Sequence, residues 1–201
     1  MFDKIICIGK NYLEHALELG DKIPEQPVLF LKPASVLLQA QKWHDTVHAR
    51  FPQSVGEVHH EIEIVLRVGN DANSIDAVTL GLDMTLRTRQ AQLKKAGHPW
   101  TTAKVFPDAA IIGPWIASTA FVDYLKQEFT LSINGTVRQG GCGDQMLLKP
   151  IALLRYIQQF FPLCKGDLIF TGTPAGVGEV LKNSTAILKW SDQYTYQVQW
   201  Q

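Results

Sequence analysis

A chain of 201 residues is long enough to bury one sizeable hydrophobic core and short for two independent ones. Its 19 lysines and arginines balance 19 aspartates and glutamates, so the sequence carries neither a basic nucleic-acid face nor an acidic tail. An apolar content of 46%, with nine Phe and five Trp, excludes a disordered chain.

Cys7, Cys142 and Cys164 are odd in number and scattered without CxxC spacing, which predicts reduced thiols in a cytoplasmic protein. The opening "MFDKIICIGK" shows no basic leader or long apolar stretch. The longest apolar region, "AAIIGPWIASTAFV", is broken by Gly113 and Pro114 and is too short to span a bilayer, so no membrane association is expected.

In chain order, "KIICIG" is a buried-type strand closed by Gly9. Asn11 stands where it could cap a helix over "YLEHALELG", with Gly20 as its stop. "PVLFLKP" is a strand between prolines, and "HHEIEIVLRVG" is a second, reached through a polar stretch. "NDANSID" is a turn leading into the strand "AVTLGLDMTL". "TLRTRQAQLKKAG" has helical character and Gly97 at its terminating position. In "FTLSINGTVRQ" two β-rich runs meet at Asn134-Gly135, a hairpin signal. "IALLRYIQQFF" has helical apolar spacing. "GDLIFTGTPAGVG" runs from a strand into a Gly-rich loop, and "TAILKWSDQYTYQVQW" supplies the last strands. Many strands with few, short helices predict a β-rich α+β fold of mixed sheets, a roll or sandwich, in one domain over 1–201. Within it, residues 1–40 would supply a strand, a helix and a second strand packed on the rest.

Glu61 and Glu63 are two apart in a strand and share a face, with Ile62 and Ile64 on the other. A solvated face would show this pattern, and so would a pair of hard oxygen ligands for Mg²⁺, Mn²⁺ or Ca²⁺. The neighbouring His59 and His60 lack the spacing of a zinc site and are expected to be structural. Asp83, set among Leu, Gly and Met, should be buried, where an acid needs a partner. If its strand lies beside the glutamate strand, three carboxylates converge and cannot all stay ionised without a cation. Asp83 could equally cap the helix that follows.

Arg87 and Gln90 fall on one face of that helix, suited either to an anion near the acids or to open solvent. His15 and Glu18, also three apart, form either a water-activating dyad or a surface pair. Lys104 sits among apolar neighbours and so needs an anion, either structural or a substrate enolate. "TGTPAGVG" lacks the GK[ST] ending of a nucleotide loop, but its backbone N–H groups and hydroxyls could hold a carboxylate.

The blocks "GKNYLEHALELG", "PVLFLKP", "HHEIEI", "LDMTLRTRQ", "GHPWTTAKVF", "SINGTVRQ" and "KGDLIFTGTPAGVG", in this order, resemble the fumarylacetoacetate hydrolase family, and most closely its small single-domain branch acting on acylpyruvates and oxaloacetate. The resemblance covers nearly the whole chain. It implies the β-rich fold of that family's C-terminal domain, a homodimer, and a Mg²⁺ or Mn²⁺ site on Glu61, Glu63 and Asp83. It also implies a lid helix with His15 and Glu18 activating water, Lys104 on the reacting oxygen, and Lys32, Arg87, Gln90 and Thr171 around a 2-oxo acid.

The activity so implied is metal-dependent hydrolysis of a C–C bond in a 2,4-dioxo acid, giving pyruvate and a carboxylic acid. The alternatives are oxaloacetate decarboxylation or a keto–enol or 2-hydroxymuconate-type isomerisation through the same enolate. A binder of 2-oxo acids without turnover is the competitor from outside catalysis. Four departures from the family pattern bear on substrate choice: Thr88 replaces an Asp, Gly143 stands where Thr is frequent, Lys10 stands for Arg, and the segment 69–81 is short.

Overall fold

Along residues 62–68, Ile62, Ile64 and Leu66 turn to one face of a strand and Glu63 and Val65 to the other, and all five are buried. Burial on both faces requires cover from both sides, and the chain supplies two different kinds. The computed structural model describes residues 2–18, 26–53 and 56–201.

In chain order the elements begin with β1 (Lys4–Gly9), α1 (Leu13–Glu18), β2 (Val28–Pro33), β3 (Leu37–Gln39), β4 (Thr46–Ala49) and β5 (Val58–His60). The middle of the chain forms β6 (Ile62–Val68), β7 (Ile75–Asp83), β8 (Thr85–Leu86), α2 (Arg87–Ala96), α3 (Thr101–Lys104), β9 (Ala110–Ile112) and β10 (Ile116–Ala117). Then come β11 (Phe129–Ile133), β12 (Thr136–Gly141), α4 (Pro150–Ile157), β13 (Leu168–Phe170), β14 (Gly178–Val180), β15 (Thr185–Trp190) and β16 (Tyr194–Trp200).

Among the described residues the largest sheet has the order β2-β1-β13-β6-β7-β9-β3, with β10 also on β7. A second runs β12-β11-β15-β16-β4, and a small third joins β14, β5 and β8. Both larger sheets are mixed: β1–β13, β3–β9 and β16–β4 are parallel, and their other named pairs antiparallel. One face of the first sheet packs on the second. Ile6, Ile62, Ile64 and Leu80 share a core with Phe129, Leu188, Trp190 and Val198. Each such burial contributes about 1.5–3 kcal/mol of gross transfer free energy. Tyr196 Oη also donates to the Leu80 carbonyl at 3.2 Å across the layers. The opposite face holds a smaller cluster of Ile5, Cys7, Val65, Ile112 and Phe170, and at its end the acids. The fold is the β-rich α+β arrangement expected, with short helices.

Four local differences have physical causes. The long strands expected at 59–69 and 77–86 each break, at Glu61 and Met84, because β5 and β8 leave the large sheet to pair with each other. The helix expected through Phe161 stops at Ile157, whose carbonyl takes the N–H of both Phe160 and Phe161 in a closing turn. Asn11 does not serve α1 as a cap in the bonds it makes. Its Nδ2 donates to the Leu148 and Thr171 carbonyls at 3.1 and 2.8 Å, and its Oδ1 accepts the Leu148 N–H at 2.8 Å. The short 69–81 connection is a tight turn in which Gly69 N–H reaches the Ser74 carbonyl and Asp71 accepts from Asn73 N–H and Ser74 Oγ. The hairpin turn is as expected, with φ of 50° at Asn134 and 79° at Gly135. The stop Gly20 lies outside the described residues. Among the described residues no helix is long and apolar enough to cross a membrane.

Candidate active site

β6 and β7 are antiparallel neighbours with Glu63 opposite Gly81, so Glu61, Glu63 and Asp83 come out on one face. One carboxylate oxygen from each lies within 4.8 Å of the other two. The residues are 6%, 2% and 1% exposed, which removes the solvated-face alternative. The helix-cap alternative goes as well: α2 is entered from Leu86 without a side-chain cap, and Asp83 ends the preceding strand. Gly81 permits the close layer here, since a Cβ would lie 2.8 Å from the Ile111 carbonyl.

Three cations answer the three acids. Lys104 Nζ uses all of its donors, on Glu61 Oε2 at 2.8 Å, Asp83 Oδ2 at 2.7 Å and Thr85 Oγ1 at 2.7 Å. Burial alone would favour its neutral form, but the Asp83 and Glu61 charges outweigh that and hold it above the ordinary lysine range. Lys32 reaches in from β2, its Nζ 2.6 Å from Asp83 Oδ1 in a charge contact outside hydrogen-bond alignment, and donates to the Met84 and Ala109 carbonyls. Arg87 donates to Glu61 Oε1 and, at 2.6 Å, to Gln90 Oε1.

Glu63 accepts the Gly172 N–H at 2.7 Å. Burial, with the Asp83 and Glu61 carboxylates beside it, still pushes Glu63 well above the usual carboxylate range. Gly172 has φ 99° and lies so near Asn11 that a Cβ would be 2.9 Å from that residue's own, so only glycine presents this N–H. The loop is fastened to β6 on either side of it, by Thr171 Oγ1 to the Ile64 carbonyl and Thr173 Oγ1 to the Ile62 carbonyl, each at 2.8 Å. Gln139 completes the frame. Its Nε2 donates to Thr173 Oγ1 and the Pro174 carbonyl, so its Oε1 faces the Ile62 N–H and His60 Nδ1, making Nδ1 the protonated nitrogen of His60. Both histidines are thus structural in their contacts, His59 meeting Glu57 and Arg87.

The donor set fits a hard divalent cation: three carboxylates on a rigid sheet, one of whose oxygens, Asp83 Oδ1, is buried with no aligned donor. The pocket above them is walled by Ile8, Gly9, Phe30 and Trp100 and edged by Lys10 and Lys94.

Of the residues expected at a site, Glu61, Glu63, Asp83, Arg87, Gln90 and Lys104 line this one pocket. Lys32 lies behind Asp83, fully buried, and Thr171 is likewise buried behind the wall, while Thr173 lines it. Glu18 is exposed on α1, with its carboxylate on the Gly176 N–H at 3.1 and 3.2 Å, so α1 is tied to the Gly-rich loop. The His15 side chain lies outside the described residues. The expectation that backbone N–H groups of "TGTPAGVG" could hold a carboxylate is met by Gly172 on Glu63, whereas sequence reasoning missed Gln139, Trp100 and Lys94. Lys94 alone carried a local signal, following Arg87 and Gln90 at helical spacing.

Besides the short 69–81 segment, two of the departures have local accounts. Thr88 Oγ1 accepts the Glu57 N–H at 3.1 Å. Gly143 is packed so closely on Leu125 that a Cβ would lie 2.5 Å from its Cδ2, leaving no room for threonine.

Comparison with known proteins agrees with this geometry. Residues 4–199 match the family described as fumarylacetoacetate (FAA) hydrolase C-terminal. Oxaloacetate tautomerase YcgM of Escherichia coli (strain K12) is 36% identical over 185 residues, 87% of this chain and 82% of that protein. The mitochondrial oxaloacetate decarboxylase of Dictyostelium discoideum is 37% identical over 187 residues, 88% of this chain and 84% of its own. The crystal structure of fumarylpyruvate hydrolase from Pseudomonas aeruginosa, in complex with Mn²⁺ and pyruvate, superposes with a TM-score of 0.90 at 30% identity, covering 99% of this chain and 89% of that one. The chain therefore belongs to the fumarylacetoacetate hydrolase family, whose members are enzymes.

Proposed function

We propose that the protein is a divalent-metal-dependent enzyme that takes a proton from C3 of a 2-oxo acid of the oxaloacetate kind, interconverting its keto and enol forms. The observation that carries this is the Lys104 ammonium, buried and held charged between Glu61 and Asp83 at the floor of the pocket. A group so placed offers a fixed positive charge to an oxygen that turns anionic as the C3 proton leaves.

Glu61, Glu63 and Asp83 would hold Mg²⁺ or Mn²⁺, which when bound supplies Lewis acidity toward the substrate's 1-carboxylate and 2-oxo oxygens. Lys32 and Arg87 fix Asp83 and Glu61 in place. Lys32, Lys104 and Arg87 already offset the charge of Asp83 and Glu61, so a dication turns the pocket positive and favours an anionic substrate. Glu18, with His15 three residues before it on α1, is the proposed proton acceptor at C3. The names of the relatives at 36% and 37% identity support tautomerisation and leave decarboxylation to the same enolate as a close variant.

C–C hydrolysis of an acylpyruvate is the second reading. Glu18 favours it, because its tie to Gly176 fixes a carboxylate on the loop that also carries Thr173 of the pocket wall, where it could draw a proton from water. Nuclear magnetic resonance in D₂O separates the two. With Mg²⁺ and oxaloacetate the expected result is accelerated deuterium exchange at C3, abolished by EDTA. Acetate released from acetylpyruvate, with no exchange into oxaloacetate, would establish hydrolysis instead.

A further inference from the structure

β13 pairs with β6 as far as Phe170 opposite Val65, and beyond that point the chain leaves the sheet as the Gly-rich loop. The edge of β6 so vacated still carries main-chain groups that need partners. Side chains supply them. Thr171 Oγ1 donates to the Ile64 carbonyl and Thr173 Oγ1 to the Ile62 carbonyl, while Gln139 Oε1 accepts the Ile62 N–H at 3.0 Å. With these side chains standing in for a strand, the loop N–H groups of Gly172 and Gly176 are left for the carboxylates of Glu63 and Glu18.

Gln139 is the one of the three that comes from outside the loop. It lies on β12, in the second sheet, and is 2% exposed. Its Oε1 also accepts from His60 Nδ1 at 2.8 Å. His60 ends β5, Ile62 begins β6, and Glu61 is the single residue between them. Both chain neighbours of Glu61 are therefore pinned to one oxygen, which fixes the turn between the strands and the direction in which the Glu61 side chain leaves it. The other end of the same amide donates to Thr173 Oγ1 at 2.8 Å and to the Pro174 carbonyl at 2.9 Å, and Thr173 lines the pocket. Resting on the reading of this pocket as a metal-dependent 2-oxo acid site, we infer that Gln139 is a positioning residue with two separable tasks. Its oxygen aims Glu61 at the ion, and its NH₂ holds Thr173 in the wall that meets the substrate.

Two substitutions separate the ends. Gln139→Met removes both, whereas Gln139→Glu keeps an acceptor for His60 and Ile62 but sets a carboxylate oxygen against the Pro174 carbonyl. Calorimetric Kd for Mn²⁺ without substrate reads the first task. KM for C3 proton exchange in oxaloacetate, at saturating Mn²⁺, reads the second. Gln139→Met should weaken Mn²⁺ binding about tenfold and Gln139→Glu by less than about threefold, since only the first loses what holds the ligand. Both should raise KM about tenfold. Gly135→Ala, in the same hairpin, should lower the urea midpoint and move neither readout. Loss of Mn²⁺ affinity in Gln139→Glu equal to that in Gln139→Met, an unchanged KM, or a Gly135→Ala variant that reproduces either effect would overturn the two tasks. If Gln139→Met does not fold, Gln139→Glu decides alone, since it must raise KM while keeping the ion. Wild type that fails to bind Mn²⁺ would remove the metal reading, and the role of Gln139 with it. Wild type that binds Mn²⁺ but exchanges no C3 proton would remove the proposed reaction and the second task, leaving the first to stand or fall on the Mn²⁺ affinities.

Discussion

Lys104 shows what a single side chain carries here. Replacing it with Met leaves Glu61 and Asp83 facing each other without the cation they share, a loss of about 3–5 kcal/mol when one partner of a buried ion pair is removed. Urea unfolding in EDTA should show that deficit, and added Mg²⁺ should recover part of it. Activity should not return, because the ion offsets the repulsion between the acids but does not restore the fixed ammonium charge offered to the reacting oxygen. Asp108 gives a pH prediction. Against its burial, the hydrogen bonds from the Arg50 guanidinium and N–H hold its carboxyl below the usual aspartate range. A depressed folded value means the stabilisation is complete above the unfolded pKa of about 3.9 and is lost as pH falls through the folded one. Asp108→Asn, which suits the φ of 59°, should therefore be less stable than wild type at pH 7 and converge with it in acid unfolding curves. The acids were legible at this scale through alternation and family likeness. The place of Lys32 behind Asp83 was not, because a lysine in a strand does not announce which strand it reaches across to.

Periodicity recovered the elements whose partners are close in sequence. α2 ends at Gly97 in the left-handed region, at φ 68°, and the Asn134-Gly135 turn joins β11 to β12 as its residues demand. The breaks at Glu61 and Met84 escaped, since nothing in an alternating run says that its ends will pair in another sheet. Two glycines measure the difference between local and packed demands. Gly135 has φ 79° with open space around it, so Gly135→Ala should cost about 1–2 kcal/mol of backbone strain alone. Gly81→Ala meets the Ile111 carbonyl, Val65 and Phe170, and should lower the urea midpoint further and also weaken divalent-ion binding through Asp83. Equal midpoints for the two variants would contradict this account of the strand.

For the molecule as a whole, a cation held by three carboxylates that converge only when β6 pairs with β7 should stabilise the folded chain as its occupancy rises, about 2.7 kcal/mol at a concentration one hundred times Kd. A rise in Tm with Mg²⁺ or Mn²⁺, reversed by EDTA and lost in Glu63→Gln, is the check. The Glu63 cradle also fixes a timetable for biosynthesis. Its N–H comes from Gly172, 109 positions further along, and so emerges from the ribosome long after the hairpin that bears the three acids. A nascent chain halted before that loop would present the carboxylates with their frame missing, so ion loading belongs after release, and stalled chains should bind the ion weakly however complete their acidic trio.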